Sequence, residues 1–250
     1  MRRKYGWIKD KQDSRDFLFE KIQKPVALPE KVDLRKNCSP VEDQGNLGSC
    51  TANALAGILE FLEIKDGMKL VDLSRLFIYY NERAIEGTVD FDSGAELRDG
   101  IKVLAKLGVC PEKEWKYDIS KFKIKPQKKA FADASRHKII SYYRIQNVNE
   151  MKNCLANGHP FVFGFIAFES FESEEVAATG KVNMPNTGEQ MIGGHAVVAV
   201  GYDDLQKRFI VRNSWGNKWG MGGYFTIPYE YLENPNLASD MWMVLKENGF

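Results

Sequence analysis

The stretch Asp43-Gln44-Gly45-Asn46-Leu47-Gly48-Ser49-Cys50 runs straight into Thr51 to Ile64, a segment rich in alanine and leucine. Ala52, Leu55, Ala56, Leu59 and Leu62 recur at helical spacing, which predicts a buried helix. Ser49 is a residue type favoured at a helix N-cap, and Cys50 then falls in the first turn. Free backbone N–H groups and the helix dipole favour an anion there, so the thiol is expected to have a lowered pKa. The two glycines of the loop let it fold tightly and bring the Gln44 amide back toward the sulfur. That amide and the Cys50 backbone N–H can form an oxyanion hole. A cysteine met alone is more often buried and inert. The rest of an acyl-transfer site must therefore be sought elsewhere in the chain.

The composition narrows the search. The chain has 250 residues, 44% hydrophobic and 28% charged, with a net charge of +1. This suits one large domain or two small lobes with an ordinary core. The near-neutral balance gives no electrostatic case for nucleic acid or an anionic membrane. No apolar run approaches the ~20 residues of a membrane span. Met1-Arg2-Arg3-Lys4 is basic, but Tyr5-Gly6-Trp7-Ile8-Lys9-Asp10 follows it, not the apolar core of a signal peptide. The expectation is a cytoplasmic protein, or one secreted by another route. Four cysteines do not make a disulfide framework, and no CxxC, HExxH, P-loop or GxGxxG occurs. No metal or cofactor is expected.

Taken in order, residues 1–27 form a charged and aromatic extension punctuated by Pro25 and Pro29, and the folded body is expected from Leu28. Ser74 is expected to cap a second helix, Arg75 to Ile85. Leu97, Ile101, Leu104 and Leu107 mark one face of a third, with Gly108 as its C′ residue. The second half changes character. Lys138 to Ile145, Pro160 to Phe168, His195 to Gly201, Arg208 to Arg212, Gly223 to Ile227 and Met241 to Lys246 read as strands, with a short helix at Val148 to Asn157. Helices first and strands later predict an α+β chain: a helical lobe over about 44–115 and a β lobe over about 136–250. Ligand sites favour such lobe interfaces.

A nucleophilic cysteine needs a base, and the base an orienting group. Of three histidines, His137 lies between Arg136 and Lys138 and His159 in an Asn-Gly-His-Pro turn, so both are expected at the surface. His195 stands at the mouth of a buried strand, after Gly193-Gly194 and before Ala196-Val197-Val198-Ala199-Val200. The next strand ends at Asn213. If the two strands pair antiparallel, the Asn213 amide oxygen reaches the His195 ring and fixes its tautomer. Trp215, two residues on, can shield that bond from water.

Together these stretches resemble the papain family of cysteine peptidases, from about Leu28 to the C-terminus. Gln44…Gly48-Ser49-Cys50 is similar to that family's nucleophile loop, Gly194-His195-Ala196-Val197 to its histidine strand, and Asn213-Ser214-Trp215-Gly216…Trp219-Gly220…Gly223-Tyr224 to its asparagine motif. The resemblance implies a two-lobe fold, with a helical lobe, an antiparallel β-barrel-like lobe and a cleft between them. It implies Cys50 as nucleophile, His195 as proton partner, Gln44 in the oxyanion hole and Asn213 as orienter, acting on a peptide or protein substrate as a monomer. Many members carry a cysteine where Leu47 stands and its partner near Asp92; that disulfide is absent here. Many carry tryptophan where Thr51 stands. The long helical inhibitory pro-region is missing, as in shorter prokaryotic or viral members.

Three functions share these residues: an endopeptidase, an acyl transferase on the same dyad, and an inactive binding protein. The last should lack one of the four groups, and all four are present. Subsite residues are expected at Gly94 and at Ser239-Asp240-Met241. Met241 is expected to face the pocket, because a buried unpaired carboxylate is costly. Residues 1–27 are too short for a core of their own, yet carry Tyr5, Trp7, Ile8, Phe17, Leu18 and Phe19. They are expected to dock on the body, as a short pro-segment over the cleft or as a strap on its back.

Overall fold

The computed structural model of the protein describes residues 3–24 and 26–246. In chain order the elements are β1 (Trp7–Ile8), β2 (Lys31–Asp33), α1 (Cys50–Lys65), α2 (Arg75–Glu86), β3 (Ala95–Glu96), α3 (Leu97–Lys106), α4 (Lys128–Ala134), β4 (Ser141–Arg144) and α5 (Val148–Ala156). There follow β5 (Phe161–Phe168), α6 (Glu174–Thr179), β6 (Met191–Asp203), β7 (Arg208–Arg212), β8 (Tyr224–Pro228), α7 (Tyr229–Glu233) and β9 (Ala238–Leu245). The first half is thus helical and the second mostly strand, as the pattern predicts. Ser74 accepts the Phe77 N–H and caps α2. Gly108, left-handed at φ 81°, closes α3 through its N–H to Val103 O.

The sheet is antiparallel, in the order β4-β9-β5-β6-β7-β8, with β2 also paired to β6. Among the described residues it is open, with β4 and β8 at its ends, so the barrel-like closure expected of the second lobe is not seen. β6 is the organising strand. It pairs with β5 over Met191–Ala199, and β2 continues along that edge over Gly201–Asp203. β7 takes the opposite edge from Val198.

Alternation along the strands builds two cores on the two faces of this sheet. Val162, Ala196, Val198, Val200, Ile210, Trp242 and Val244 face one side and pack with α1, α2 and α3. Phe161, Phe163, Phe165, Val197, Ala199, Phe209, Val211, Met241 and Met243 face the other, with Met151 and Leu155 of α5. Every strand that is covered on both faces reads as a continuous apolar run, which is how β5 and β6 appear in the sequence.

Two side chains tie the helical layer to the sheet in ways the sequence hides. Arg212, buried at the end of β7, donates to Ser39 O at 2.5 Å and Pro40 O at 2.6 Å. His137 is not the solvated step expected between Arg136 and Lys138. It is buried, with Nδ1 2.7 Å from Glu63 Oε1 of α1, and Lys246 Nζ lies 3.0 Å from the same oxygen. The backbone after α4 turns the ring inward, and the carboxylate satisfies it. All four cysteines are free.

Helix α3 approaches α1 and α2 closely at Gly100. A methyl there would overlap Leu55 Cδ1 and stand 2.7 Å from Glu82 Oε2. Gly100→Ala gains up to about 1 kcal/mol of helix propensity. Overpacking costs about 1–3 kcal/mol. The expected outcome is a lower urea midpoint with an unchanged slope, measured by equilibrium unfolding.

Candidate active site

The nucleophile loop is sewn to the asparagine loop by backbone bonds. Gln44 N–H donates to Ser214 O at 2.9 Å, Gly216 N–H donates to Glu42 O at 2.9 Å, and Ser214 Oγ donates to Gln44 Oε1 at 2.6 Å. The Gln44 amide is thereby fixed by its oxygen, and Nε2 donates to Leu47 O at 2.9 Å on the side of the cleft. Cys50 opens α1 and is fully buried. The backbone N–H groups of Ala196, the residue after His195, and of Thr51 lie close enough to its sulfur to favour the thiolate. Ser49 does not cap the helix as expected. Its hydroxyl lies 2.5 Å from Tyr117 Oη and 3.1 Å from Asn53 Nδ2, which leaves the first-turn N–H groups to the sulfur.

His195 sits opposite Phe165 in the β5–β6 ladder, on the aromatic face of the sheet. Its Nε2 is 2.8 Å from Asn213 Oδ1, which also accepts the Ser214 N–H at 2.8 Å. An oxygen acceptor puts the ring proton on Nε2. Nδ1 then has no hydrogen-bond partner among the described residues and is the nitrogen open to proton exchange. The Trp215 ring lies 5.2 Å from the imidazole, tilted by 33°, and Phe171 lies 5.9 Å away. Gln44, Asn213 and His195 are therefore joined through Ser214, and Cys50 is tied to the histidine strand through the Ala196 N–H.

The cleft is filled by the chain's own N-terminus. β1 pairs parallel with β3, Trp7 opposite Ala95 and Ile8 opposite Glu96. Ala95 N–H donates to Gly6 O at 2.8 Å. Gly6 N–H points at Cys50 Sγ, and Lys4 O lies 3.2 Å from Gln44 Nε2. The Tyr5 ring stands edge-on to His195 at 5.7 Å, and its hydroxyl donates to Glu172 at 2.8 Å. Gly94, left-handed at φ 75°, has no room for a side chain, because one would overlap the Gly6 carbonyl. Gly164 likewise leaves room for the Trp7 indole. Not every apolar residue of the segment is docked: Trp7 and Phe19 are buried, whereas Ile8 and Phe17 are exposed.

The pocket around Trp7 corrects the expected subsite. Asp240, not Met241, meets the indole: Trp7 Nε1 donates to Asp240 Oδ2 at 3.2 Å, while Met241 packs in the aromatic core. The ladder between β5 and β9 slips between Val162 and Gly164, and Asp240 takes φ 58° at that bulge. A bulge re-aims a side chain, here into the cleft. The carboxylate is not unpaired, which removes the objection to burying it. It also takes the Asp10 N–H at 2.8 Å and Arg144 Nη1 at 3.3 Å. Ser239 lines the adjoining cavity with Asp10, Arg144 and Asp240.

Burial reverses the expected charge state of the pair. With the segment in place, desolvation pushes the Cys50 thiol up to about 12, against its N–H donors. It pushes His195 down to about 4, against the Asn213 bond and helped by Arg3. Thiol and imidazole are both neutral in this state. The lowered thiol pKa expected from the helix end is overridden because water has been excluded. Among the described residues, no group of three or more His, Cys, Asp or Glu side chains is placed to hold a metal ion.

Two packed halves that share a cysteine at a helix start and an amide-held histidine on a strand define a thiol hydrolase of the helix-plus-sheet class. Residues 28–244 match the papain family cysteine proteases. The chain belongs to that family and is a papain-like cysteine peptidase. It is 46% identical to an uncharacterized peptidase C1-like protein of Acanthamoeba polyphaga mimivirus, over 97% of this chain and 86% of that protein. It is 45% identical to xylellain, a cysteine protease from Xylella fastidiosa, whose crystal structure superimposes with a TM-score of 0.90 over 99% of both chains. Cysteine proteinase 1 of Entamoeba histolytica is 30% identical over 82% of this chain and 65% of its own length.

The residues that hold the segment escaped the sequence reading, because Lys4, Asp10, Asp92 and Arg144 look like ordinary surface charges. Asp10 titrates where its docking can be tested. Burial first, and Asp240 second, push its carboxyl up to about 6, against the Arg98 N–H, the Trp242 indole N–H and Arg144. Arg144 also pairs with Asp16 at 2.8 Å, as does Arg98 Nη2 at 2.7 Å. A free aspartate titrates near 4. Docking therefore takes up a proton between about pH 4 and 6; its contribution is complete below that window and is lost as pH rises through about 6. Hydrogen exchange of the Tyr5–Asp10 amides, corrected for intrinsic rates, should show more protection at pH 5 than at pH 7.5. Asp10→Asn should flatten that difference.

Proposed function

We propose that the protein is an endopeptidase that works through a Cys50 thiolate and a His195 imidazolium, and that residues 1–27 act as a short pro-segment. The observation that carries this reading is the seating of Lys4 O on Gln44 Nε2 with Gly6 N–H on Cys50 Sγ. A peptide carbonyl occupies the donor side of the proposed oxyanion hole, and a peptide chain lies across the nucleophile.

With the segment displaced, water returns to the cleft and the helix end can favour the thiolate. The sulfur attacks the carbonyl carbon of a substrate peptide. The carbonyl electron pair moves to oxygen, held by Gln44 Nε2 and the Cys50 N–H. The C–N bond breaks as His195 gives its proton to the leaving nitrogen, and a thioester forms. Water then loses a proton to His195 and attacks the thioester, which releases the acid and restores the pair. Asn213 holds the ring so that Nδ1 does this work, and Trp215 covers that bond. Gly94 supplies backbone to the substrate, and Ser239 and Asp240 line the pocket that Trp7 now fills.

Cys50→Ala should abolish peptide hydrolysis with an unchanged unfolding curve. His195→Ala should do nearly the same, since the two act as a unit. Asn213→Ala should cost less. Activity of the uncovered enzyme should follow a bell in pH, whose limbs belong to the pair. Trp7→Ala in the full chain should speed both alkylation of Cys50 and peptide cleavage. Full hydrolysis by Cys50→Ala would sink the mechanism, and equal rates with and without Trp7 would sink the cover.

A further inference from the structure

The N-terminal segment has two parts, held in different ways. Residues 16–24 are built into the fold. Phe19 is fully buried in the aromatic core, where it opens a single 3-10 turn, Phe19–Lys21, and Ile22 packs beside it. The Arg144 N–H of β4 donates to Phe17 O at 2.8 Å, and Leu18 forms a parallel bridge with Arg144. The Asp16 carboxylate ties the two layers together, accepting Arg98 Nη2 of α3 at 2.7 Å and Arg144 Nε of β4 at 2.8 Å. Asn153 Nδ2 of α5 donates to Lys24 O at 3.2 Å. Removing these residues would leave a hole in the core the size of a phenyl ring.

Residues 4–10 lie over the cleft instead. Their ladder is β1 against β3, two residues long. So short a pairing opens locally at far lower free energy than a core strand. Between the two parts runs a polar loop in which Lys11, Gln12, Ser14 and Arg15 are exposed. The Arg15 side chain is 87% exposed and pairs within the loop with Asp13, at 2.8 and 2.6 Å. The Asp16 N–H donates to Asp13 O at 3.2 Å and closes a turn, while Arg98 donates to Lys11 O. Exposed polar turns are where chains are nicked.

We propose that the cleft is opened by one cut in this loop, after Lys11 or Arg15, made by a separate peptidase directed to basic residues, and that residues 16–24 remain a permanent part of the enzyme. The inference rests on the pro-segment reading and narrows it: the cover ends at this loop, not at Leu28. The chain's own sulfur does not reach the loop, since Gly6 lies at Cys50 and Lys11 follows five residues on, about 16 Å along an extended chain. In the cut the C–N bond breaks, the water oxygen joins the carbonyl carbon, and the water protons pass to the new amino terminus, leaving a carboxylate and an ammonium. Before it, the cover docks from a tether at an effective concentration of about millimolar; afterwards it must bind as a free peptide and is lost on dilution.

The test is limited digestion of the full chain with a trace of trypsin, followed by intact mass and N-terminal sequencing. After the trypsin is quenched, alkylation of Cys50 by iodoacetamide is timed at submicromolar protein, with the site resolved by peptide mapping. The expected first new N-terminus is Gln12 or Asp16. Cys50 alkylation should rise roughly tenfold or more in step with that cut. The remainder, with Phe19 still in it, should resist further digestion. The double variant Lys11→Gln/Arg15→Gln should stay slow to alkylate through the same digestion. Phe19→Leu in the uncut chain should lower the urea midpoint while Cys50 stays slow to react. A first cut after Lys24 or Lys31, a loop cut that leaves alkylation unchanged, rapid loss of the remainder, or a parent urea midpoint in Phe19→Leu overturns the proposal. Alkylation needs no hydrolysis, so the two readings fail separately. A cut chain whose Cys50 reacts but which cleaves no peptide refutes the peptidase reading and upholds release by cutting.

Discussion

The site depends on one contact, the first turn of α1 against the middle of β6. There the Ala196 N–H reaches the Cys50 sulfur, so the backbone that carries His195 also holds the nucleophile. The two elements come from distant parts of the chain, and α1 packs on one face of the sheet to which β6 belongs. Ala196, Val198 and Val200 pack toward the helices, while His195 and Val197 turn toward the aromatic core. The period of two along a strand thus sets the imidazole and the N–H beside the sulfur on adjacent residues of one backbone, His195 and Ala196. The buried Arg212 and the Glu63–His137–Lys246 cluster hold the layers in that relation.

The N-terminal segment uses the same junction. Its backbone adds to β3, its carbonyl meets the Gln44 amide, and its indole fills the pocket at Gly164. The electrostatic result is as important as the steric one. Excluding water raises the thiol and lowers the imidazole, so the covered pair is neutral. Carboxylates of the cleft are met at the same time by segment donors: Asp43 by Arg3, Asp92 by Lys4 and Asp240 by Trp7 and the Asp10 N–H. Acidic side chains of the groove are thereby met by residues 3–10, and part of that cover, Asp10, is itself a buried carboxyl with a raised pKa.

The sequence by itself determined the main helices and strands and the residue types of the candidate site. The alanine and leucine spacing after Cys50 fixes α1, the apolar runs fix β5 and β6, and Gln44, Cys50, His195 and Asn213 each stand beside a local signal of helix start or strand end. Those signals are short-range, which is why they can be read without a fold. Tertiary structure decided the rest. Asp240 faces the cleft because a bulge between β5 and β9 breaks the strand alternation, and no residue pattern announces that slip. His137 is buried because Glu63 is waiting for it across the layers. Among the described residues the sheet is open, with β4 and β8 at opposite ends of the strand order, which depends on long-range pairing. The pKa of Cys50 depends on whether residues 4–7 lie over it, and a helix dipole argued from sequence carries no information about water. Burial and long-range pairing are properties of where distant segments meet, so only the folded chain sets them.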